Sequence, residues 1–430
     1  MATQLKARIS RIQTFSSLKH RNYRLLWSST YFSTAGDWIQ QVTMGWLVYN
    51  LTGSPFLVGA TAAARGIPMF LIGPVSGVLS DRMDRRKLLL WNQLFLAVSA
   101  LALAGLVASG RVQAWHLMVF AFLNGAGYSI NTPLRQALVS DTVPRKDLPN
   151  AIALISLALN LNRALGPAVG GLLIAFFGAA TNFFIQAACY VGVALMVFPM
   201  RVESHAHLER KLASPLADMR EGIRYVAGER LVLGLILFVF IPSLFLLPFT
   251  TGLMPVFAAE ALREGPEGLG FLLGSVGGGA LVGTLIVASI GYRSAMVQLG
   301  FGLLSALGMI VASRSHSLAL AMPFFAGMGL GQTAFYAMNN TLVQSITPDN
   351  IRGRVLGIYF LNIGLIPMGA LLAGAMASFL GSPLTMLIGG CTTIALLLLA
   401  EAKFKIARQG ARARQEVIAA RQLSKKDASS

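Results

Sequence analysis

Nine stretches of this chain run for 20 residues or more without a single Asp, Glu, Lys or Arg: 38–64, 88–110, 112–134, 164–200, 231–259, 268–292, 294–313, 315–348 and 355–400. Soluble domains carry charge at about one residue in four. Here only 12% of residues are charged, and 55% are hydrophobic. A bilayer core about 30 Å thick takes roughly 20 helical residues to cross, so most of these runs make one span and the longest make two. Turn signals at Gly178-Ala-Ala-Thr-Asn182 and Gly381-Ser-Pro383 divide the two longest. The expected fold is an all-α membrane protein with twelve transmembrane helices. They lie near 24–50, 56–80, 88–109, 115–140, 150–176, 181–199, 231–258, 268–290, 295–313, 318–345, 354–380 and 384–400. That composition excludes a soluble enzyme.

The net charge of +18 would also suit a nucleic-acid binder, so the placement of the charges decides. Counted over alternate loops, 29 of the 35 Lys and Arg residues fall on one side, including every lysine. The other side holds Arg111, Arg263 and Arg314, while Arg65, Arg135 and Arg163 fall inside spans. Positive segments resist translocation, so both termini are expected in the cytoplasm of a multi-pass plasma (inner) membrane protein. Residues 1–24 have no apolar core, so no cleavable signal peptide is expected. The basic excess is a topology signal, and no nucleic-acid partner is expected.

The chain also repeats itself. An offset of 204 brings Leu138, Val139, Pro144 and Gly170 over Leu342, Val343, Pro348 and Gly374; an offset of 202 brings Gly125, Gly127 and Cys189 over Gly327, Gly329 and Cys391. The division implied is a six-helix half at 1–200, a cytoplasmic linker at 201–230 with a surface helix, a second six-helix half at 231–400 and a basic tail at 401–430.

The loop after span 2 reads Gly77-Val-Leu-Ser-Asp81-Arg82-Met-Asp84-Arg85-Arg86-Lys87. It resembles the signature of the major facilitator superfamily, with Asp84 where the second glycine is expected. Span 5 carries Gly166-Pro167-Ala-Val-Gly170-Gly171, similar to the helix-bending motif of that superfamily's drug and proton antiporters. Over most of the chain the likeness is to its siderophore-exporter and macrolide-efflux branch, through Phe15–Trp27, Leu51–Ser54 and Val143–Asn150. The resemblance implies two pseudo-symmetric bundles with a substrate site at the midplane. It implies a cytoplasmic gate of Gly77, Asp81, Arg82, Arg85, Arg86 and Asp141, with Asp81 near Gly353 and Arg85 paired to Asp141. Span 4 departs from the antiporter pattern: Asn124-Gly-Ala-Gly127 stands for its glycine-rich segment, and Ala121 occupies the arginine position.

Asp37 is the one acid inside a predicted span, and at about 1.5 Å per residue it sits near mid-depth, as do Arg65 and Arg163. An ionisable group there costs at least about 2.5–3.5 kcal/mol on insertion scales, so it normally faces a cavity or a partner. Asp37, Arg65 and Arg163 are therefore the proton-coupling candidates, the bland alternative being a permanent ion pair. Arg135, closer to the basic end, reads as a gate or surface residue. Trp38, Gln41, Tyr49, Asn160, Gln332, Tyr336 and Asn339 are the cavity candidates, with Gln40, Trp46, Asn162 and Asn340 behind them; amide and aromatic groups suit an amphiphile better than a small anion. No phosphate-binding loop, metal site, cofactor or disulfide is expected. The leading expectation is a monomeric secondary transporter exporting a drug- or siderophore-like molecule against protons. A nutrient importer, a lipid flippase and a non-transporting sensor or scaffold are the alternatives.

Overall fold

The computed structural model describes residues 15–200, 215–290, 295–348 and 351–406, with the side chains of all of these except 70, 73–82 and 215–218. After a short 3-10 turn, Ser16–Lys19, the first six long helices are α1 (Arg21–Thr52), α2 (Pro55–Arg82), α3 (Arg85–Ala108), α4 (Ala114–Thr142), α5 (Leu148–Phe177) and α6 (Ala179–Val197). A 14-residue helix of the linker follows, α7 (Pro215–Gly228). The seventh span is broken into α8 (Arg230–Phe245), a π turn at Phe249–Leu253 and α9 (Met254–Glu260). Then come α10 (Pro266–Ile290), α11 (Ala295–Ala312) and α12 (Leu318–Ile346). The eleventh span is also divided, at Leu361, into α13 (Arg352–Phe360) and α14 (Asn362–Leu380), and α15 (Ser382–Phe404) completes the bundle.

Among the described residues, nine of these segments are long and apolar enough to cross a bilayer. The other three, α1, α2 and α4, have 32, 28 and 29 residues. At about 1.5 Å per residue that is more than 40 Å each, ample for a 30 Å core. They are also the helices that bring Asp37, Arg65 and Arg135 into the bundle interior, which lowers their apolarity.

Among the described residues the two most extensive crossings between the first six spans and the second six are α2 on α14 and α5 on α10. Advancing each partner by six spans exchanges the two crossings, as a two-fold pseudo-symmetry requires. The match extends to single residues. A methyl group at Gly171 would strike the Pro266 carbonyl and come 2.9 Å from the Gly270 Cα; one at Gly374 would come 2.7 Å from the Pro55 carbonyl and 3.1 Å from the Gly59 Cα. Both are small-residue contacts that let backbones touch where lipid offers no hydrophobic drive. The hairpin turns beyond them repeat as well, Gly178 at φ 79°, ψ 165° and Gly381 at φ 77°, ψ 159°, a conformation closed to side chains with a Cβ. Gly374 thus corresponds in space to Gly171, one residue from the Gly170 suggested by the sequence offset.

The two ends of the bundle differ. One end carries Arg85, Arg86, Lys87, Arg145 and Lys146 and is called the basic end below. There the segment before α1 is clamped to the start of α5. Ser17 N donates to Asn150 Oδ1 (3.1 Å) and Ser17 Oγ to the Asp147 carbonyl (3.0 Å), while His20 Nε2 lies 2.9 Å from Asp147 Oδ2. Further along α1, Tyr23 and Trp27 donate to the carbonyls of Ala151 and Leu154, at 2.7 and 2.9 Å. Two of the segments behind the branch-level resemblance are therefore partners of each other. The linker helix α7 lies against α13, with Arg354 bonded to Glu221 at 2.7 Å.

Candidate functional site

Two adjoining cavities of about 260 and 270 Å³ lie between the halves and share Trp38, Gln41 and Thr251 in their walls. The first is walled by α1, α2 and α4 against the π turn and α14, and includes Gln40, Arg65, Tyr128 and Pro367. Walls of the second come from α1 and α5 against residues 247–251 beyond α8 and against α10 and α12, with Arg163, Gly277 and Gln332. The remaining lining is chiefly aliphatic, Met44, Val58, Leu247, Ile363 and Ile366 among it. Among the described lining residues there is no Asp or Glu.

Arg163 and Arg65 differ in what holds them. Arg163 Nη2 donates to Gln332 Oε1 at 3.1 Å, a hydrogen bond that runs from the first half to the second. Pro167 removes the donor that the Arg163 carbonyl would have within its own helix, and that carbonyl lies against Gly277 of α10. The Arg65 guanidinium instead stands over the Tyr128 ring, 5.6 Å from its centroid. Neither arginine has an ion-pair partner among the described residues. The amide nitrogen of Gln332 and the amide oxygen of Gln40 are buried in the cavity wall without a hydrogen-bond partner, although the two residues are only 4% and 1% exposed. Such groups cost roughly 1–3 kcal/mol each when left unsatisfied, so they mark places where a partner is missing.

Asp37 is half-buried on α1 beside this cavity, turned toward α6. Tyr190 Oη donates to its Oδ1 at 2.8 Å and accepts from Asn124 Nδ2 (3.1 Å) and Gln186 Nε2 (3.0 Å). Among the described residues no cation reaches ion-pair distance of Asp37; Arg65 and Arg135 act on it through space. Arg163 is directed elsewhere, to Gln332. Tyr190, Asn124 and Gln186 escaped the sequence reading because an isolated polar residue in an apolar run does not say which neighbour it faces.

Several expectations are corrected. Arg135 is not at a surface: it is 7% exposed and donates to Asn131 Oδ1 (2.8 Å), Ser29 Oγ (2.9 Å) and Thr30 Oγ1 (2.8 Å) inside the first half. Distance along the helix gives the depth of a residue and says nothing of the direction in which it points. Tyr49 lies outside the cavity, at the end remote from the basic residues, donating to Glu260 Oε1 at 2.8 Å; Glu260 Oε2 also accepts from Ser382 at 3.3 Å. Asn160 bonds back to the Ser156 carbonyl, and Asn162 holds Tyr31 and Thr34 of α1. Asn339 is fully buried against the Leu235 carbonyl, and Tyr336 shares a 2.6 Å hydrogen bond with Ser243. The Asn160 bond stays within α5 and the other three residues tie helices together; none of the four residues lines either cavity. Trp38, Gln41, Arg65, Arg163 and Gln332 do.

The span 5 motif is a packing seam on two faces of one uninterrupted helix. Gly166 lies under Trp38, Gly170 against the Ile39 backbone, and Gly171 against α10. Asn182 of α6 donates to the Gly170 carbonyl at 2.9 Å. At the basic end Arg85 pairs with Asp141 at 2.8 Å, both side chains about a fifth exposed at 21% and 18%. Arg86 reaches the Phe198 carbonyl at the end of α6 and lies over the Phe198 ring. Asp84 caps α3 by accepting from the backbone N–H groups of Arg86 (2.9 Å) and Lys87 (3.2 Å), which gives the missing glycine of the signature a physical reason. The side chains at positions 77, 81 and 82, and with them the proposed meeting of Asp81 with Gly353, lie outside the described residues.

Residues 12–425 match a sequence family described as transmembrane secretion effector. The staphyloferrin A transporter of Staphylococcus aureus is 25% identical over 389 residues, covering 87% of this chain and 94% of that one. The multidrug efflux pump Tap of Mycolicibacterium fortuitum is 26% identical, covering 84% and 92%. Macrolide efflux protein A of Streptococcus pyogenes is 23% identical, covering 88% and 96%. Among solved structures, the fold is similar to an inward-facing bacterial homologue of the lysosomal transporter Spinster, with a TM-score of 0.69 at 15% identity over 91% of this chain and 98% of that one. It is also similar to an inward-facing bacterial homologue of ferroportin, with a TM-score of 0.67 at 18% identity, over 89% and 98%.

Proposed function

Since the chain belongs to the major facilitator superfamily of membrane transporters, in its transmembrane secretion effector family, we propose that it is a proton-coupled exporter of an amphiphilic small molecule. The two six-helix halves, 1–200 and 231–400, rock around the central cavity, with the linker and the basic tail on the cytoplasmic side. The observation that carries this reading is Asp37. It is a mid-depth carboxylate held by a neutral tyrosine, beside a cavity whose arginines pair with no acid among the described residues. A carboxylate in a permanent ion pair has no reason to exchange protons; one held by a phenol can.

The direction of transport is supported by charge and by packing together. If positive loops face the cytoplasm, the basic end is inside and the Tyr49–Glu260–Ser382 contacts are outside. The crossings at Gly59, Gly171, Gly270 and Gly374 then lie in the outer part of the bundle. This is the arrangement of a carrier ready to load from the cytoplasm. Arg85, Asp141 and Arg86 tie helices of the first half together at the inner end, where the halves would meet on switching. The named substrates of the relatives, staphyloferrin A and macrolides, favour export of a bulky amphiphile over nutrient uptake.

Ala121, at the arginine position of the antiporter pattern, lines the same cavity as Arg65. The cation that the pattern supplies from span 4 is here supplied from span 2, so Arg65 is the residue that would sense the charge of Asp37. The test is Asp37→Asn in proteoliposomes under an imposed pH gradient. Gradient-driven flux should disappear while downhill exchange of substrate persists, and undiminished gradient-driven flux would remove Asp37 from the coupling step.

A further inference from the structure

The substrate class follows from what the cavity lacks. Resting on the reading that this cavity is the transport site, we propose that it binds an amphiphile through an anionic group, with Arg163 as the principal partner of the anion and Gln332 as its stand-in when the cavity is empty.

Two guanidinium groups, Arg65 and Arg163, line the cavity, and no described lining residue is acidic. The span carboxylate Asp37 is bonded to Tyr190 of α6 and makes no ion pair among the described residues. A cationic ligand would meet two like charges and no acid among the described lining residues, an arrangement that disfavours it. An anion would meet the opposite situation. Arg163 offers a planar fork suited to two parallel hydrogen bonds with a carboxylate, sulfonate or phosphate. At present it gives one nitrogen to a neutral amide oxygen at 3.1 Å. The same amide's Nε2 is buried with no partner, on a residue 4% exposed. An anion at Arg163 would displace Gln332 Oε1 and could accept from Gln332 Nε2, satisfying both groups at once. The Gln40 amide oxygen, also unpartnered, adds an acceptor for a donor group elsewhere on the ligand.

The remaining wall is aliphatic and aromatic, and it extends through two lobes of about 260 and 270 Å³ that meet at Trp38. A small inorganic anion would leave that surface uncovered, so the ligand is an organic anion with an apolar body. The Arg163–Gln332 bond joins α5 of one half to α12 of the other. An anion that takes Arg163 from Gln332 therefore loosens a mid-depth tie between the halves at the moment of loading. Substrate binding would bias the rocking equilibrium in this way, because the ligand changes a contact that differs between the two states.

The experiment uses the purified full-length protein in detergent and three probes of one shape: 1-naphthaleneacetate, its uncharged amide, and (1-naphthylmethyl)trimethylammonium. Binding is read by titration calorimetry. The acetate should bind at least tenfold more tightly than the amide, and the ammonium most weakly. Arg163→Gln should cost the acetate at least tenfold and leave the amide unchanged; Arg163→Lys, which keeps the charge but not the fork, should fall between. Gln332→Ala should tighten acetate binding by removing the competing partner. Equal or tighter binding of the amide or ammonium, no binding of any probe, or an acetate affinity indifferent to both Arg163 variants would each overturn the proposal. Melting curves without ligand verify folding, and the Lys variant reads the site even where the Gln variant is unstable. Failure here is separable from failure of the export reading. Proton-driven flux of a cation would keep export and reject the anion site, whereas Arg163-dependent acetate binding without any flux would do the reverse.

Discussion

The inter-half crossings allow a quantitative test of the rocking mechanism that does not require the substrate. Gly171 on α5 and Gly374 on α14 are pseudo-symmetric, and each faces backbone of the opposite half rather than a side chain that can swing away. Adding one methyl at either site therefore forces the two helices apart. Overpacking of this kind costs about 1–3 kcal/mol. The cost falls on the state in which these helices touch and is relieved in the state in which they part. At about 1.4 kcal/mol per factor of ten, Gly171→Ala should lower the closed-to-open ratio at this end of the bundle roughly 5- to 150-fold. Gly374→Ala should do the same by symmetry. The assay is a spin-label distance distribution between Leu51→Cys on α1 and Leu384→Cys on α15, both 43% exposed, in a background where Cys189 and Cys391 are replaced. The control is Gly192→Ala on α6, where an added methyl has no neighbour within 4 Å and the distribution should not change. Distributions for Gly171→Ala and Gly374→Ala that match the control would refute the claim that these crossings seal one end. A large effect from one and none from the other would refute the pseudo-symmetric mechanism.

Three further outcomes follow from the same contacts. Arg85→Ala and Asp141→Ala each leave a half-buried charge without its 2.8 Å partner, so either should impair transport, and the charge-swapped double variant should recover it; a thermodynamic cycle on these variants should give a coupling of about 0.5–3 kcal/mol. The carboxyl of Asp147 is held below the ordinary carboxylate range, first by its hydrogen bond to His20. A depressed acid stabilises the fold fully above its unfolded pKa of about 3.9 and loses that contribution as pH falls through the folded value. Melting temperature in detergent should thus drop more steeply below about pH 4 for the wild type than for Asp147→Asn. Tyr190→Phe removes the donor to Asp37 and the acceptor for Asn124 and Gln186; a stability loss of about 1–3 kcal/mol is expected by chemical denaturation, with a loss of proton-driven flux.

Much of this protein could be read along the chain. The charge-free runs predict the twelve spans to within a few residues, and the observed helices differ mainly at two internal breaks, at Phe249–Leu253 and at Leu361. Nothing in the hydropathy signals those breaks, since a π turn and a continuous helix bury the same apolar atoms. The likeness between halves was visible as an offset of 202–204, and the structure sharpens it to 203 through Gly171 with Gly374 and Gly178 with Gly381. Arg85 and Asp141 are likewise traceable to the loop signature.

The direction in which an interior side chain points was decided only in three dimensions. Transfer of a residue from water to lipid is a local property, so sequence alone indicates which segments cross, and the basic loops carry the expectation of which way round. A helix that is apolar on all sides carries no stripe to orient it, and lipid exerts no hydrophobic force to turn one face inward. Its rotation is set by where small residues let backbones meet, as at Gly166 under Trp38 and Gly277 beside Arg163. In the packed bundle Arg163 faces Gln332, Asp37 faces Tyr190, Arg135 points inward and Tyr49 lies at the end remote from the basic residues, leaving two arginines and no acid among the described residues that line the cavity.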